Sequence, residues 1–243
     1  MKTEVIKLNE EVSLTTYIYD ESNELSNLLK RPAMLILPGG GYEFCSDREA
    51  EPIAIAYMAK GYNTFILRYS LKKNSKFPKP LNDAEWALEM IRSKSDEWGV
   101  LKDKIACIGF SAGGHLAAML GSAGRVRPNA LLLGYAALLR SPKHGWDYPT
   151  PIVDEKTPET FLFHTYMDNV VPIENALYFI TEMRKHNIPV EFHLFKTGNH
   201  GLSLGNDLVS NNHQYMIDEN YTAWFDLSIA WLDKLFNCIK TGK

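Results

Sequence analysis

Residues 104–121, KIACIGFSAGGHLAAMLG, restrict the possible folds of this chain more than any other stretch. Residues 104–110 form an apolar run of strand length, and residues 112–121 are small residues that suit a closely packed helix. Only Ser111 separates the two. Gly109 and Gly113 flank it in the pattern G-x-S-x-G. A turn that tight strains the serine backbone, and glycine on either side removes a Cβ that would collide. The hydroxyl then stands at the carboxyl end of a strand, with a helix amino terminus behind it.

The remaining chain repeats the alternation. Residues 12–19 alternate apolar and polar side chains and read as an edge strand. Residues 33–37 (AMLIL), 63–69, 130–135, 160–166 and 190–195 are short apolar runs that read as further strands. Helical spacing appears over 47–60, 81–94, 173–186 and 222–239. Strands interleaved with helices imply βαβ units, hence an α/β fold with a mostly parallel sheet covered by helices on both faces. Residues 139–158, with four prolines, and 202–220, rich in asparagine, break the rhythm as long loops. No repeat or composition shift marks a second unit, so residues 1–243 are expected to form a single domain with a minimal lid.

Composition excludes several classes. Twenty-six basic against 29 acidic residues give a net charge of −3, the wrong sign for a strongly basic nucleic-acid binder. No apolar run reaches the ~18–20 residues that span a bilayer. The amino-terminal twelve residues carry charges at Lys2, Glu4, Lys7, Glu10 and Glu11, so the apolar stretch of a secretory signal is missing there. Cys45, Cys107 and Cys238 are few, odd in number and widely spaced, which fits a reducing cytoplasm. No His/Cys cluster or H-E-x-x-H spacing suggests a metal site. The glycines at 39–41 carry neither a P-loop Lys-Ser/Thr nor G-x-G-x-x-G spacing, so no cofactor is expected.

The chemistry-bearing residues follow from position. Ser111 reads as a nucleophile, and a serine hydroxyl needs a base oriented by an acid. Of seven histidines, His164 and His193 fall within expected strands, His186 ends a helix and His115 packs inside the elbow helix. His200, in the loop after the last strand, is placed to hang over the serine, while His144 and His213 stay open as rivals. Asp168 follows the strand at 160–166, whereas its rival Asp154 precedes it, at the wrong end of the sheet. Gly39, Gly40 and Gly41 directly after a strand can turn backbone N–H groups toward a developing oxyanion, and Ala112 supplies another. Pro38 has no N–H, so Gly40 and Gly41 are taken as the loop donors. Trp146, beside Asp147 and Tyr148, either stacks on a sugar-like substrate or packs its loop down. Cys45 reads as a small buried residue.

Taken together, 37–43 (LPGGGYE), 47–49 (DRE), 68–70 (RYS), 109–117 (GFSAGGHLA), 164–168 (HTYMD) with Val171-Pro172, and 198–201 (GNHG) resemble the α/β-hydrolases. Within them the chain is similar to small bacterial esterases of the acetyl xylan esterase-like or prolyl-oligopeptidase-like type. The resemblance implies Ser111 as nucleophile, Asp168 as acid, His200 as base, and an oxyanion hole from the glycine loop and Ala112. It departs from the His-Gly-Gly that begins this loop in many related esterases. It implies a small-molecule ester as substrate, with an acetylated sugar as the expected class. A serine peptidase or amidase, and a binding protein on a hydrolase scaffold, remain the alternatives; self-association is left open.

Overall fold

The computed structural model describes residues 1–236, apart from the side chains at 25–27 and 144. An eight-stranded sheet runs through it. In chain order the elements are β1 (Lys2–Lys7), β2 (Ser13–Ile18), β3 (Arg31–Leu37), α1 (Glu51–Ala59), β4 (Asn63–Arg68), α2 (Lys79–Ser93), β5 (Val100–Phe110), α3 (Ala112–Ala123), β6 (Ala130–Gly134), β7 (Thr160–Thr165), α4 (Glu174–Lys185), β8 (Val190–Phe195), the single turn α5 (Asp207–Ser210) and α6 (Ala223–Phe236). The strand order is β1-β2-β4-β3-β5-β6-β7-β8. β1 and β2 run antiparallel to their neighbours, and β4 through β8 are parallel, as the alternating pattern predicts.

The inner strands are apolar on both faces because both are covered. On β3, Ala33, Leu35 and Leu37 point into one core while Met34 and Ile36 point into the other. β5 does the same with Ile105 and Cys107 against Ala106, Ile108 and Phe110. The first core is closed by Leu88 and Ile91 of α2, Leu116 and Leu120 of α3, and Phe179 of α4. The second is closed by Ile53 and Tyr57 of α1 and Trp224, Trp231 and Leu232 of α6. Period two along a strand thus feeds two hydrophobic layers.

Residues 12–19 are not the sheet edge. β1 pairs outside β2, from Lys2↔Ile18 to Lys7↔Ser13, and takes the edge position itself. β1 is almost wholly exposed, so it has no buried face and leaves no hydrophobic signature. β5 also begins four residues ahead of the expected 104–110 run, at Val100, because the partly exposed Leu101 to Asp103 continue the strand and carry no apolar signal. The helix expected over 47–60 divides into a short turn, Asp47–Glu49, and α1, with Pro52 in the first turn of α1. Residues 237–239 of the expected last helix, and Cys238, lie outside the described residues. Among the described residues no helix is long and apolar enough to cross a membrane.

Candidate active site

Ser111 occupies the turn between β5 and α3 with φ 52° and ψ −117°, a left-handed conformation that costs a serine energy. Three backbone hydrogen bonds hold it there: Ser111 N–H donates to Gly134 O at 3.0 Å, while Ser111 O accepts from His115 N–H at 3.0 Å and Ala137 N–H at 3.1 Å. The flanking glycines are required by space. A Cβ on Gly109 would lie 2.1 Å from Gly113 O, and one on Gly113 would lie 2.0 Å from Leu37 O.

His200 and Asp168 reach the serine from the two loops that follow β8 and β7. Ser111 Oγ is 2.8 Å from His200 Nε2, and His200 Nδ1 is 2.7 Å from Asp168 Oδ2. A carboxylate only accepts, so Nδ1 carries the proton and Nε2 is left to accept from the serine hydroxyl. The Asp168 side chain is 1% exposed and that of His200 16%. The other Asp168 oxygen accepts the N–H groups of Val170 (2.9 Å) and Val171 (2.8 Å), which fixes the carboxylate against rotation. Burial works against its ionisation, but the hydrogen bond and charge of His200 and the two N–H donors outweigh it and hold the carboxyl below the usual range. His164 Nε2 donates to Val171 O at 2.9 Å and braces the same turn.

The rivals are engaged elsewhere. Asp154 is paired with Arg127, whose guanidinium pulls its carboxyl down to about 2. His213 stacks on Tyr215 at the surface, with centroids 5.2 Å apart. His193 lies 2.9 Å from Glu191, and His186 is 3.5 Å from Glu155. The His144 side chain lies outside what the structure describes.

On the other side of the serine, Gly40 and Gly41 line the same cavity as Ser111 and His200. Gly39 N–H is taken by Glu49 Oε2 at 2.7 Å. The N–H groups of Gly40 and Gly41 have no acceptor among the described residues, which leaves them available to a ligand. Ala112 follows Ser111 directly and is buried at the start of α3, where the helix itself offers its N–H no acceptor.

The cavity measures about 1010 Å³. Phe44, Leu139, Trp146 and Val170 give it apolar walls, and Arg48 and Arg140 bring guanidinium groups to its lining. Trp146 has a face on the cavity and is also part of the loop's own packing. It lines the cavity, and it also packs on Tyr148 (4.7 Å), His115 (5.6 Å) and Tyr42 (5.8 Å). Its buried indole N–H has no partner among the described residues. Cys45 is half-buried, and burial pushes its thiol up to about 11, so it is not a thiolate. Among the described residues no group of three or more His, Cys, Asp or Glu side chains is arranged to hold a metal ion.

Two residues beside the serine were given no role from the sequence, although Glu49 lies in the 47–49 stretch singled out there. Glu49 is a buried carboxylate that accepts from Gly39 N–H and from Tyr135 O–H. Burial pushes its carboxyl up, against the pull of those two donors and of the His200 and Arg48 charges. Tyr135 and Glu49 are 86 residues apart, a pairing that only the fold reveals.

Comparison with known proteins adds a second line of observation. The family described as BD-FAE matches residues 18–128, and the prolyl oligopeptidase family matches residues 143–237. MGS-M1, an alpha/beta hydrolase enzyme from a Medee basin deep-sea metagenome library, is 57% identical, with a TM-score of 0.96 over 98% of each chain. The carboxylesterase Cest-2923 of Lactobacillus plantarum is 26% identical, with a TM-score of 0.90 over 99% of this chain and 100% of the other. The acetylxylan esterase of Xylanibacter ruminicola is 24% identical over 199 residues, 71% of this chain and 41% of that protein. The chain spans between about a quarter and two fifths of the length of the curated relatives it matches.

Proposed function

Because this chain belongs to the α/β-hydrolases, we propose that it is a serine carboxylesterase in which Ser111 is the nucleophile, His200 the base and Asp168 the acid. The hydrogen-bonded relay from Asp168 through His200 to Ser111, opening into a cavity of about 1010 Å³, carries this reading. The Ser111 oxygen attacks the ester carbonyl carbon while its proton passes to His200 Nε2. Asp168 holds the imidazole in the tautomer that can accept and steadies the imidazolium that results. The carbonyl oxygen, now negative, is met by the N–H groups of Gly40, Gly41 and Ala112. The tetrahedral adduct collapses, the alkoxide leaves with the proton from His200, and an acyl-serine remains. Water then attacks that ester with His200 again as base, which releases the acid and restores the serine hydroxyl.

The substrate we infer is a short acyl ester, acetyl first, on a sugar-like alcohol. The cavity is far larger than an acetyl group needs, and it combines aromatic and apolar walls with a few polar groups, as sites for mid-sized ligands do. A relative named acetylxylan esterase supports the same class. A second reading, amide or peptide hydrolysis by the same residues, is favoured by the match of residues 143–237 to the prolyl oligopeptidase family. A panel of acetylated xylo-oligosaccharides, nitrophenyl esters of rising chain length and aminoacyl amides separates the two. Ester turnover with a serine-directed phosphonate bound at Ser111 is the expected outcome. Amide turnover exceeding ester turnover, or phosphonate bound elsewhere, overturns it.

A further inference from the structure

One buried carboxylate stands beside the relay without belonging to it. Glu49 is 3% exposed, and both of its oxygens are occupied: Oε2 accepts Gly39 N–H at 2.7 Å and Oε1 accepts Tyr135 O–H at 2.5 Å. Tyr135, just beyond β6, accepts Ser203 N–H on the same phenolic oxygen at 3.1 Å. Ser203 lies three residues past His200. Its hydroxyl donates to Arg48 O at 2.5 Å, and its carbonyl accepts Trp224 Nε1–H at 3.0 Å. The Tyr135 ring also meets the His200 imidazole edge-on, with centroids 5.0 Å apart.

The donors in this chain of contacts set its polarity. Ser203 N–H must donate, so Tyr135 oxygen accepts from it, and the Tyr135 hydroxyl lies in line to donate to Glu49 Oε1. Gly39 N–H must donate as well. Glu49 therefore receives two donors and offers none, which is the bonding of a carboxylate. The same contacts join two strained residues, Tyr135 and Ser203, and reach a third, Ser111, through His200. Ser111, Tyr135 and Ser203 have φ of 52°, 35° and 55°, conformations that non-glycine residues keep only when their surroundings over-determine them.

We propose that Glu49 is a positioning residue for the hydrolytic centre: it ties the glycine loop to the histidine loop through Gly39 and Tyr135, and its negative charge adds to that of Asp168 around the His200 imidazolium. Without Glu49, Gly39 is free to turn and the N–H groups of Gly40 and Gly41 lose their fixed aim at the carbonyl oxygen. Without Tyr135, the histidine loop loses its tie to that same carboxylate. The groups that bear on Glu49 are Tyr135, Arg48, His200, the phenols of Tyr69 and Tyr221 and the Cys45 thiol. Those that bear on His200 are Asp168, Glu49 and His164. Arg48 is the one guanidinium in these two sets, so removing the Glu49 charge leaves the imidazolium with a net less favourable field.

The inference rests on the esterase reading of Ser111, Asp168 and His200, and its test is arranged to fail separately. Steady-state kinetics across pH on a nitrophenyl acetate substrate are compared for the parent, Glu49→Gln and Tyr135→Phe. Rates are normalised to sites titrated with a serine-directed phosphonate, so loss of folded protein does not count as loss of turnover. Glu49→Gln keeps the shape and removes the charge. It is expected to lower kcat by about 10- to 100-fold, the scale of a small misplacement at a reacting centre, with little change in KM. Its acid limb of kcat/KM should move to lower pH, because the imidazolium has lost a neighbouring anion. Tyr135→Phe keeps the charge and cuts the tie, so kcat should fall without that downward move. A parent-like kcat per titrated site in Glu49→Gln, or an unmoved acid limb, overturns the proposal. A parent whose Ser111 does not take the phosphonate overturns the esterase reading instead.

Discussion

His200 and His115 are both held at both ring nitrogens, and the two sites they occupy behave in opposite ways. His200 sits between Asp168 and Ser111, partly open to the cavity, with an anion on one side and a hydroxyl on the other. His115, four residues into the elbow helix, is fully buried. Its Nδ1 lies 2.8 Å from Tyr42 O–H, and its Nε2 donates to Pro149 O at 2.6 Å. Burial, only partly offset by the bond to Pro149, pulls its imidazole down to about 4. An imidazole becomes a proton shuttle when its charged form has an anion to stabilise it and a path to solvent. Given a phenol and a carbonyl in a closed aromatic nest, the same ring is a neutral cross-link. His115 joins Tyr42, the residue after the glycine loop, to the 139–158 loop through Pro149.

The sharpest way to break the contrast is to delete each ring. His200→Ala removes the proposed base, and loss of a member of such a relay lowers kcat by up to ~10⁶ while binding and oxyanion contacts leave a residue of catalysis. Asp168→Asn should cost less, about 10⁴, since it disturbs tautomer and orientation. Thermal and urea stability in His200→Ala should fall by no more than the Asp168 carboxylate loses with its partner, since the ring itself packs little apolar surface. His115→Gln should do the reverse. It leaves the Tyr42 hydroxyl and the Pro149 carbonyl imperfectly paired in a buried nest, a loss of about 1–3 kcal/mol, while kcat per titrated site changes by less than about tenfold. A His115→Gln enzyme as dead as His200→Ala would erase the distinction.

The pH dependence of stability sharpens it further. Folded His115 binds a proton only near pH 4, whereas an unfolded histidine binds one near 6.5. Between those values the unfolded chain carries a proton that the folded chain refuses. The His115 contribution is therefore complete above about pH 6.5 and is lost as pH falls toward 4, on the order of 3 kcal/mol in all. Asp168 acts in the same sense at lower pH, because its carboxyl is held below the ordinary range and must be protonated for that stabilisation to vanish. Urea denaturation of the parent and of His115→Gln at intervals from pH 7 to 4 reads the histidine part directly. The stability gap between them should narrow as pH falls; a constant gap means that His115 is not buried neutral.

Which parts of this were legible beforehand follows from how local each signal is. The elbow is written in six consecutive residues, and the strands beside it are apolar on both faces, so Ser111 and the parallel core stand out. His200 and Asp168 were reachable because each follows a strand at the same sheet end, and a loop after a strand is a short-range feature. β1 was not reachable: Val5 is 56% exposed and the strand's charged residues face water, so no periodicity marks it. Nor was the Glu49–Tyr135–Ser203 chain, whose members are brought together only when three loops converge. Glu49 lies in the 47–49 stretch that marks the resemblance, but nothing in that stretch reveals its burial or its partners.

The smallest expected effect concerns Trp146, which hangs on the loop that His115 anchors. Its ring lines the cavity yet also leans on Tyr42 and Tyr148, so substrate stacking and loop packing are mixed in one side chain. An aromatic contact of this kind is worth about 0.5–1.5 kcal/mol, which is roughly two- to tenfold in kcat/KM. Trp146→Ala should therefore lower kcat/KM for acetylated xylo-oligosaccharides by that factor and lower it less for nitrophenyl acetate, which offers no sugar ring. If both substrates fall together and urea stability falls with them, Trp146 acts by holding the loop. Its effect should then merge with that of His115→Gln in the double variant, because both changes release the same segment. If the sugar ester alone suffers, the two effects should add, and the loop's aromatic face belongs to substrate recognition while His115 remains its fastening.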